Sequence, residues 1–429
     1  MAFFVPASAF AGTHASGELA APRVYEQYKS EVASAVPKMS EVAPAAETCV
    51  PIAAGSLDRR DGAVEACTAV TSVARERKAA VTQEDGEVCT VSKPGYWKFN
   101  RLSTCLREMA VNFTLRGEKQ EVLGTATLYV SSSATYSTRT RAWKEEISVE
   151  FAEPKGQVQS LNVAADVSCT SLCTATENSP WIGAKKLVDN GVLATGSVAY
   201  SSKVEVGKVD FSTTKYHLYI THTGSIPTIP SVNWDNPHQV RCDSRKTDLG
   251  SSEGCVDGAV RQEADLEMPI SKYGAAAFTY GWAQWNLKDK WGRYSGSPLK
   301  YAADGDERRK RTCGKQSSEP FEPFDPSIVK NDSCDEFPFA GTQQGGNDGA
   351  LCAEIRPHLR IDDKYEMYEA YDDKPVTRNE PCVRSHVPNE ENGNAGLEYG
   401  RYVQKWRLID GDPFYLTVPD YFDRAVDAD

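Results

Sequence analysis

The sequence predicts a multidomain chain: an antiparallel, sandwich-like β-rich region followed by a smaller C-terminal domain of different composition. Three observations carry this. Between Tyr96 and about Lys290, apolar residues fall at every second position in a series of short segments, the period of a strand that buries one face. Turns rich in Gly, Ser, Lys and Pro separate those segments, as antiparallel connections require. With 429 residues, 40% of them hydrophobic and 10% aromatic, the chain has the material for two or three cores.

Taken in order, residues 1–22 form a signal-like apolar segment. Met-Ala-Phe-Phe-Val-Pro-Ala-Ser-Ala-Phe-Ala offers small residues suited to cleavage near Ala9 or Ala11, although it lacks a basic leader. Residues 23–95 read as a helical and loop arm. Val24, Tyr25, Tyr28, Val32 and Val36 recur at helical intervals after Pro22, and loops follow. Arg59-Arg-Asp-Gly is a turn, and Cys49, Cys67, Cys89 and Cys105 are placed to pair locally and staple a region with little core.

The β-rich domain is placed at 96–290, with its clearest strands at 109–115, 125–130, 146–151 and 216–221. Cys169 with Cys173, and Cys242 with Cys255, are set to close tight loops. His217, His222 and His238 match no ligand spacing and read as surface histidines. Trp97, Trp143, Trp181, Trp234, Trp282, Trp285 and Trp291 read first as core and second as the lining of a carbohydrate groove. The second reading leaves room for a cell-wall, glycan or protein partner.

A formal charge of −12 excludes binding of nucleic acid through a broadly basic surface, so a polyanionic ligand needs a local basic patch or metal ions. The 12 cysteines contain no C-x-x-C pair, which favours disulfides over zinc ribbons and places the protein in an oxidising, extracellular compartment. No apolar run reaches the roughly 20 residues of a membrane span, so a secreted protein is expected. Residues 291–312 read as a linker. Its basic run, Glu307-Arg-Arg-Lys-Arg, is open to proteases or suited to meeting phosphates.

The C-terminal domain, placed at 313–429, carries Cys334-Asp-Glu-Phe-Pro-Phe-Ala-Gly-Thr-Gln-Gln-Gly-Gly. Phe337 and Phe339 can bury while Pro338 fixes the backbone, so Asp335 and Glu336 are held at a defined angle. The plain alternative is a solvated acid pair beside core aromatics. Further on come Ser385-His-Val-Pro-Asn-Glu-Glu-Asn-Gly-Asn-Ala-Gly and Arg407-Leu-Ile-Asp-Gly-Asp-Pro-Phe-Tyr. In this order the three motifs resemble the NucA/NucB family of secreted bacterial deoxyribonucleases.

The resemblance implies a small α/β domain with a reduced ββα-metal type site, and DNA hydrolysis that depends on a divalent ion, magnesium or manganese first and calcium second. Such a reaction needs a base for water, a cation to neutralise the phosphate, and positive side chains for the strand. Asp335 or Glu336 serves as base, with the other orienting it or holding metal. Asn389-Glu-Glu-Asn caps a helix that begins near Ala395, setting Glu391 and Asn392 at its N-terminus, and Glu398 follows on that helix. The metal set is therefore Asp335, Glu391, Asn392 and Glu398. His386 is a catalytic acid or phosphate contact, although the family pattern does not demand histidine there. Arg401, Lys405, Arg407 and Gln344 are the DNA contacts.

Two positions depart from the pattern. Gln343-Gln344 stands where relatives carry an acid before Gly-Gly, and Gly341 where a larger residue is usual. The competing readings are an inactive nuclease-like domain in a secreted binding protein, and a toxin or defence effector.

Overall fold

The computed structural model describes residues 39–71, 93–222, 230–247, 250–262 and 264–426. They divide into two compact units: residues up to Ala264 together with Arg401–Leu408, and Asp265–Gly400 together with the residues from Ile409 on. Antiparallel sheets dominate and helices are few.

The first unit is built on a nine-stranded sheet and a four-stranded sheet. Long strands such as Ser103–Gly117, Val122–Thr135 and Ala142–Gly156 pair antiparallel in sequence order. One hydrophobic core collects the inward rows of both sheets: Val111, Phe113, Val149 and Phe151 from the larger, Leu161, Val163, Leu218 and Ile220 from the smaller. Trp97, Trp143 and Trp181 lie in that core, as their amphipathic rings allow. Glu145 sits on an inward row too. Tyr216 and Tyr200 donate to its carboxylate at 2.8 and 3.1 Å, and burial raises its pKa.

The arm reads differently in the structure. Ala45–Pro51 and Ala63–Thr71 are strands of the large sheet where loops were expected, because Ala63-Val-Glu-Ala-Cys-Thr-Ala-Val alternates against the strand Ser103–Gly117. Cys49 faces Cys67 across the pair and is bonded to it. The helix expected over 24–36 lies outside the described residues. Cys169–Cys173 and Cys242–Cys255 are closed as the spacing predicts, and no described cysteine is free. The histidines are not plain surface residues: His222 pairs with Asp58 at 2.7 Å and His238 with Asp257 at 2.9 Å, and all four side chains are largely buried.

The second unit centres on four strands, β1 (Asp332–Phe337), β2 (Ala353–Leu359), β3 (Tyr365–Glu369) and β4 (Val383–Pro388), in the order β1-β4-β2-β3. The β1–β4 and β2–β3 pairs are antiparallel, and β4 runs parallel to β2. Helix α1 (Ile270–Asn286) packs on this sheet. It falls in the stretch assigned to alternating strands, but Ala275-Ala-Ala-Phe is a helix-forming run and the side chains from Ala275 to Gln284 are all buried. The carboxylate of Asp420 accepts from the first α1 amides, Ile270 at 2.7 Å and Ser271 at 2.9 Å, which supplies the cap that Pro269 cannot.

Helix α2 (Gly305–Thr312) occupies the stretch read as a linker. Asp306 and Glu307 in its first turn, with Arg309, Lys310 and Arg311 in its last, complement the helix dipole. Leu299–Lys300 pairs with Pro413–Phe414. Helix α3 (Asn389–Lys405) leaves β4 directly and begins at Asn389, ahead of the expected Ala395.

Candidate functional site

Side chains alternate across a strand, and this separates the two acids of β1. Asp335 faces α1. Its Oδ1 accepts from the Tyr280 hydroxyl at 3.2 Å and from the Glu336 amide at 3.0 Å, while Oδ2 is buried with no hydrogen-bond partner. Burial, then the negative charge of Glu336, holds the Asp335 pKa well above the ordinary carboxylate range. Ser385, its cross-strand neighbour, meets Thr279 of α1 at 2.9 Å.

Glu336 turns to the opposite face. There Arg309 donates to it from Nε at 3.3 Å, and the Cys313 sulfur of the Cys313–Cys334 disulfide lies 3.1 Å away. Burial raises its pKa and Arg309 opposes that shift. The expectation of one carboxylate serving as base while the other orients it is corrected, because adjacent strand positions cannot face the same way.

Glu336's face also holds a row of buried charges. His386 Nδ1 meets Asp332 Oδ2 at 2.6 Å, and His386 Nε2 lies 3.6 Å from Glu354. Arg384 binds both oxygens of Glu354 at 2.8 Å. The ring of His386 stacks on Phe324 with centroids 4.0 Å apart, and its side chain is 0% exposed. Both ring nitrogens of His386 face buried carboxylates, Asp332 and Glu354, so the ring is engaged in an ion-pair row, and the catalytic-acid reading of His386 is corrected to a structural one.

A pH dependence follows. Burial alone would lower the His386 pKa, but Asp332 and then Glu354 raise it above 6.5. A raised folded value stabilises the unit fully below the unfolded pKa and loses that contribution as pH rises through the folded value. For Glu354, burial is outweighed by His386 and Arg384, and its pKa falls from 4.5 to about 2. That contribution is present above the unfolded pKa and is lost as pH falls through about 2. Thermal melts across pH are expected to fall on the alkaline side in the parent, and to lose much of that dependence in His386→Gln. An identical alkaline fall in both would remove His386 as its cause.

The other expected ligands are engaged in holding the helices. Glu391 accepts from the Ala275 amide at 2.5 Å, where α1 breaks at Gly274 with φ of 54°. A Cβ at Gly274 would lie 2.1 Å from a Glu391 oxygen, so this close approach requires glycine. Burial raises the Glu391 pKa, with Glu390 adding to the effect. Asn392 donates to the Cys334 carbonyl at 2.8 Å and the Ser333 hydroxyl at 3.1 Å, which ties α3 to β1. Glu398 accepts from Tyr273 at 2.9 Å, and Gln344 accepts from the Lys300 amide at 2.9 Å.

Asp335, Glu391 and Glu398 therefore do not form a preformed cage. Among the described residues the only convergent ligand groups contain disulfide cysteines, which are not thiolate ligands. Of the expected ligands, the feature that fits a hard cation is the unpartnered Oδ2 of Asp335; Asp332 and Glu380 also bury an unpartnered carboxylate oxygen.

The expected DNA cations also divide. Arg407 is 2% exposed and binds Asp243 through Nε and one terminal nitrogen, both at 2.8 Å. Its place as a DNA contact is corrected: it is a core ion pair of the first unit. Arg401 and Lys405 are exposed, and both belong to the segment grouped with the first unit. The residues missed were Tyr280, hidden in the stretch read as strand, and Arg309, whose signal was the basic run itself.

The family model described as deoxyribonuclease NucA/NucB matches residues 290–361. That stretch includes α2 and β1, and with them Arg309, Asp335, Glu336 and Gln344. It ends before β4, so His386, Glu391, Asn392 and Glu398 lie beyond it. No curated protein matches the chain, and no solved structure does.

Proposed function

Because the C-terminal region carries a deoxyribonuclease NucA/NucB domain, we propose that this chain is a secreted, divalent-cation-dependent deoxyribonuclease that hydrolyses DNA phosphodiester bonds at a reduced ββα-metal type site. The observation that carries the reading is Asp335. It lies inside the matched stretch and buries a carboxylate oxygen, Oδ2, that no protein group satisfies. Leaving such an atom unpaired is costly, and a cation would remove the cost.

Magnesium or manganese is the expected ion and calcium the second choice; such an ion neutralises phosphate charge and stabilises the leaving oxygen. The protein's own contribution is orientation. Tyr280 and the Glu336 amide fix Oδ1, so the carboxylate cannot rotate and Oδ2 is presented in one direction. Disulfides such as Cys313–Cys334 and Cys352–Cys382 support an oxidising, extracellular setting. No helix among the described residues is long and apolar enough to cross a membrane.

Supercoiled plasmid incubated with the full chain tests this. Cleavage with magnesium or manganese that stops on adding chelator is the expected result. Undiminished cleavage in chelator would refute the cation dependence, and no cleavage with any of the three ions would refute the activity.

A further inference from the structure

We propose that α2 carries a phosphate-binding site for the DNA backbone, centred on Arg309 and flanked by Lys310 and Arg311; this rests on the deoxyribonuclease reading and adds the element that holds the substrate. Four consecutive cations, Arg308 to Arg311, lie on this helix. A complement to the helix dipole accounts for their position at its C-terminal end. It does not account for how firmly the helix is fixed, or for where Arg309 is left.

The helix is attached along its whole length. A Cβ on Gly305 would stand 3.3 Å from the Gly341 backbone. Arg308 donates to the carbonyls of Gln343 at 3.2 Å and Gly345 at 3.0 Å. Gly346, with φ of 75°, lets the loop pass so close that a Cβ there would meet Arg308 at 2.7 Å. Thr312 donates to the Asn347 carbonyl at 2.8 Å, and Cys313 is bonded to Cys334 of β1. The conspicuous Gly-Gly of the sequence is thus the seat of α2, and α2 is a fixed part of the strand that carries Asp335.

Arg309 occupies the exposed edge of that junction. It donates to Glu336 from Nε, yet its side chain is 64% exposed while Glu336 is 4% exposed. A guanidinium has five N–H donors, so pairing through one leaves the outward ones for a second anion, and phosphate matches that fork. Arg311 is exposed and has no ion-pair partner among the described residues. Lys310 is exposed and pairs with Glu307 at 2.7 Å, a surface pair that costs little to exchange. On a chain of net charge −12, a focused group of cations on the helix bonded through Cys313–Cys334 to the strand that carries Asp335 is what a polyanion requires.

The test is equilibrium binding of a duplex oligonucleotide to the full chain in chelator, over a salt series. Arg309→Gln and Arg311→Ala are each expected to weaken binding and to flatten the log–log salt slope by about 0.9, the loss of one phosphate contact. Lys364→Ala, an exposed cation in the turn between β2 and β3, is expected to leave the slope unchanged. Arg309→Gln also unpairs Glu336, so Arg311→Ala decides if the first variant fails to fold. If the parent binds and cuts DNA while both α2 variants keep its slope, the site is wrong. If the parent neither binds nor cuts DNA, the deoxyribonuclease reading fails, and this proposal with it.

Discussion

Asp335→Asn is expected to cut DNA about 10²–10⁴-fold more slowly than the parent, the range lost when a positioned carboxylate is removed from chemistry, while remaining folded. The amide keeps the shape of the side chain and can still accept from Tyr280, whose hydroxyl lies 3.2 Å from Oδ1. What disappears is the anionic character of Oδ2, the oxygen of the Asp335 carboxylate that no protein group uses. Burial already disfavours a charge at this position, so neutralising it is not expected to unfold the unit. A melting temperature within a few degrees of the parent, alongside the loss of rate, separates a chemical role from a structural one.

Arg407→Ala has the opposite profile. Its guanidinium meets both oxygens of Asp243 at 2.8 Å and the carbonyls of Thr138 and Ser252 at 2.9 and 2.8 Å. Truncation leaves the Asp243 carboxylate, 2% exposed, with only the longer 3.4 Å pairing to Arg245, and breaking a buried pair costs about 3–5 kcal/mol. Denaturant unfolding is expected to show that loss, with the DNA affinity of the folded protein unchanged. Weakened DNA binding with undiminished stability would return Arg407 to the interface.

These two residues show what the sequence makes legible and what it does not. The strands at 109–115 and 146–151 are legible because half-burial imposes a period of two. The Cys169–Cys173 and Cys242–Cys255 bridges are legible because their loops are short. Helix α1 was hidden because a helix buried all round has no polar face to give it a period. The separation of Asp335 from Glu336 was available in principle: once the segment is a strand, adjacent residues must diverge. The partners of His386 and Arg407 were not available. Asp332 and Asp243 lie 54 and 164 residues away along the chain, and nothing local marks either as a counter-charge.

The role of Gln344 follows the same logic. Its side-chain oxygen accepts from the Lys300 backbone amide, so this position serves to hold the Leu299–Lys300 strand beside the Gly-Gly turn. In the proposed reaction the chemistry is assigned to the head of the motif, and within it to Asp335.

The measurement that tests this most directly is the initial rate of plasmid nicking by the parent and by Asp335→Asn, at equal concentrations of folded protein, with magnesium or manganese present. Nicking by the parent and a loss of about 10²-fold or more in the variant is the predicted result. An Asp335→Asn protein that nicks at the parental rate would contradict it.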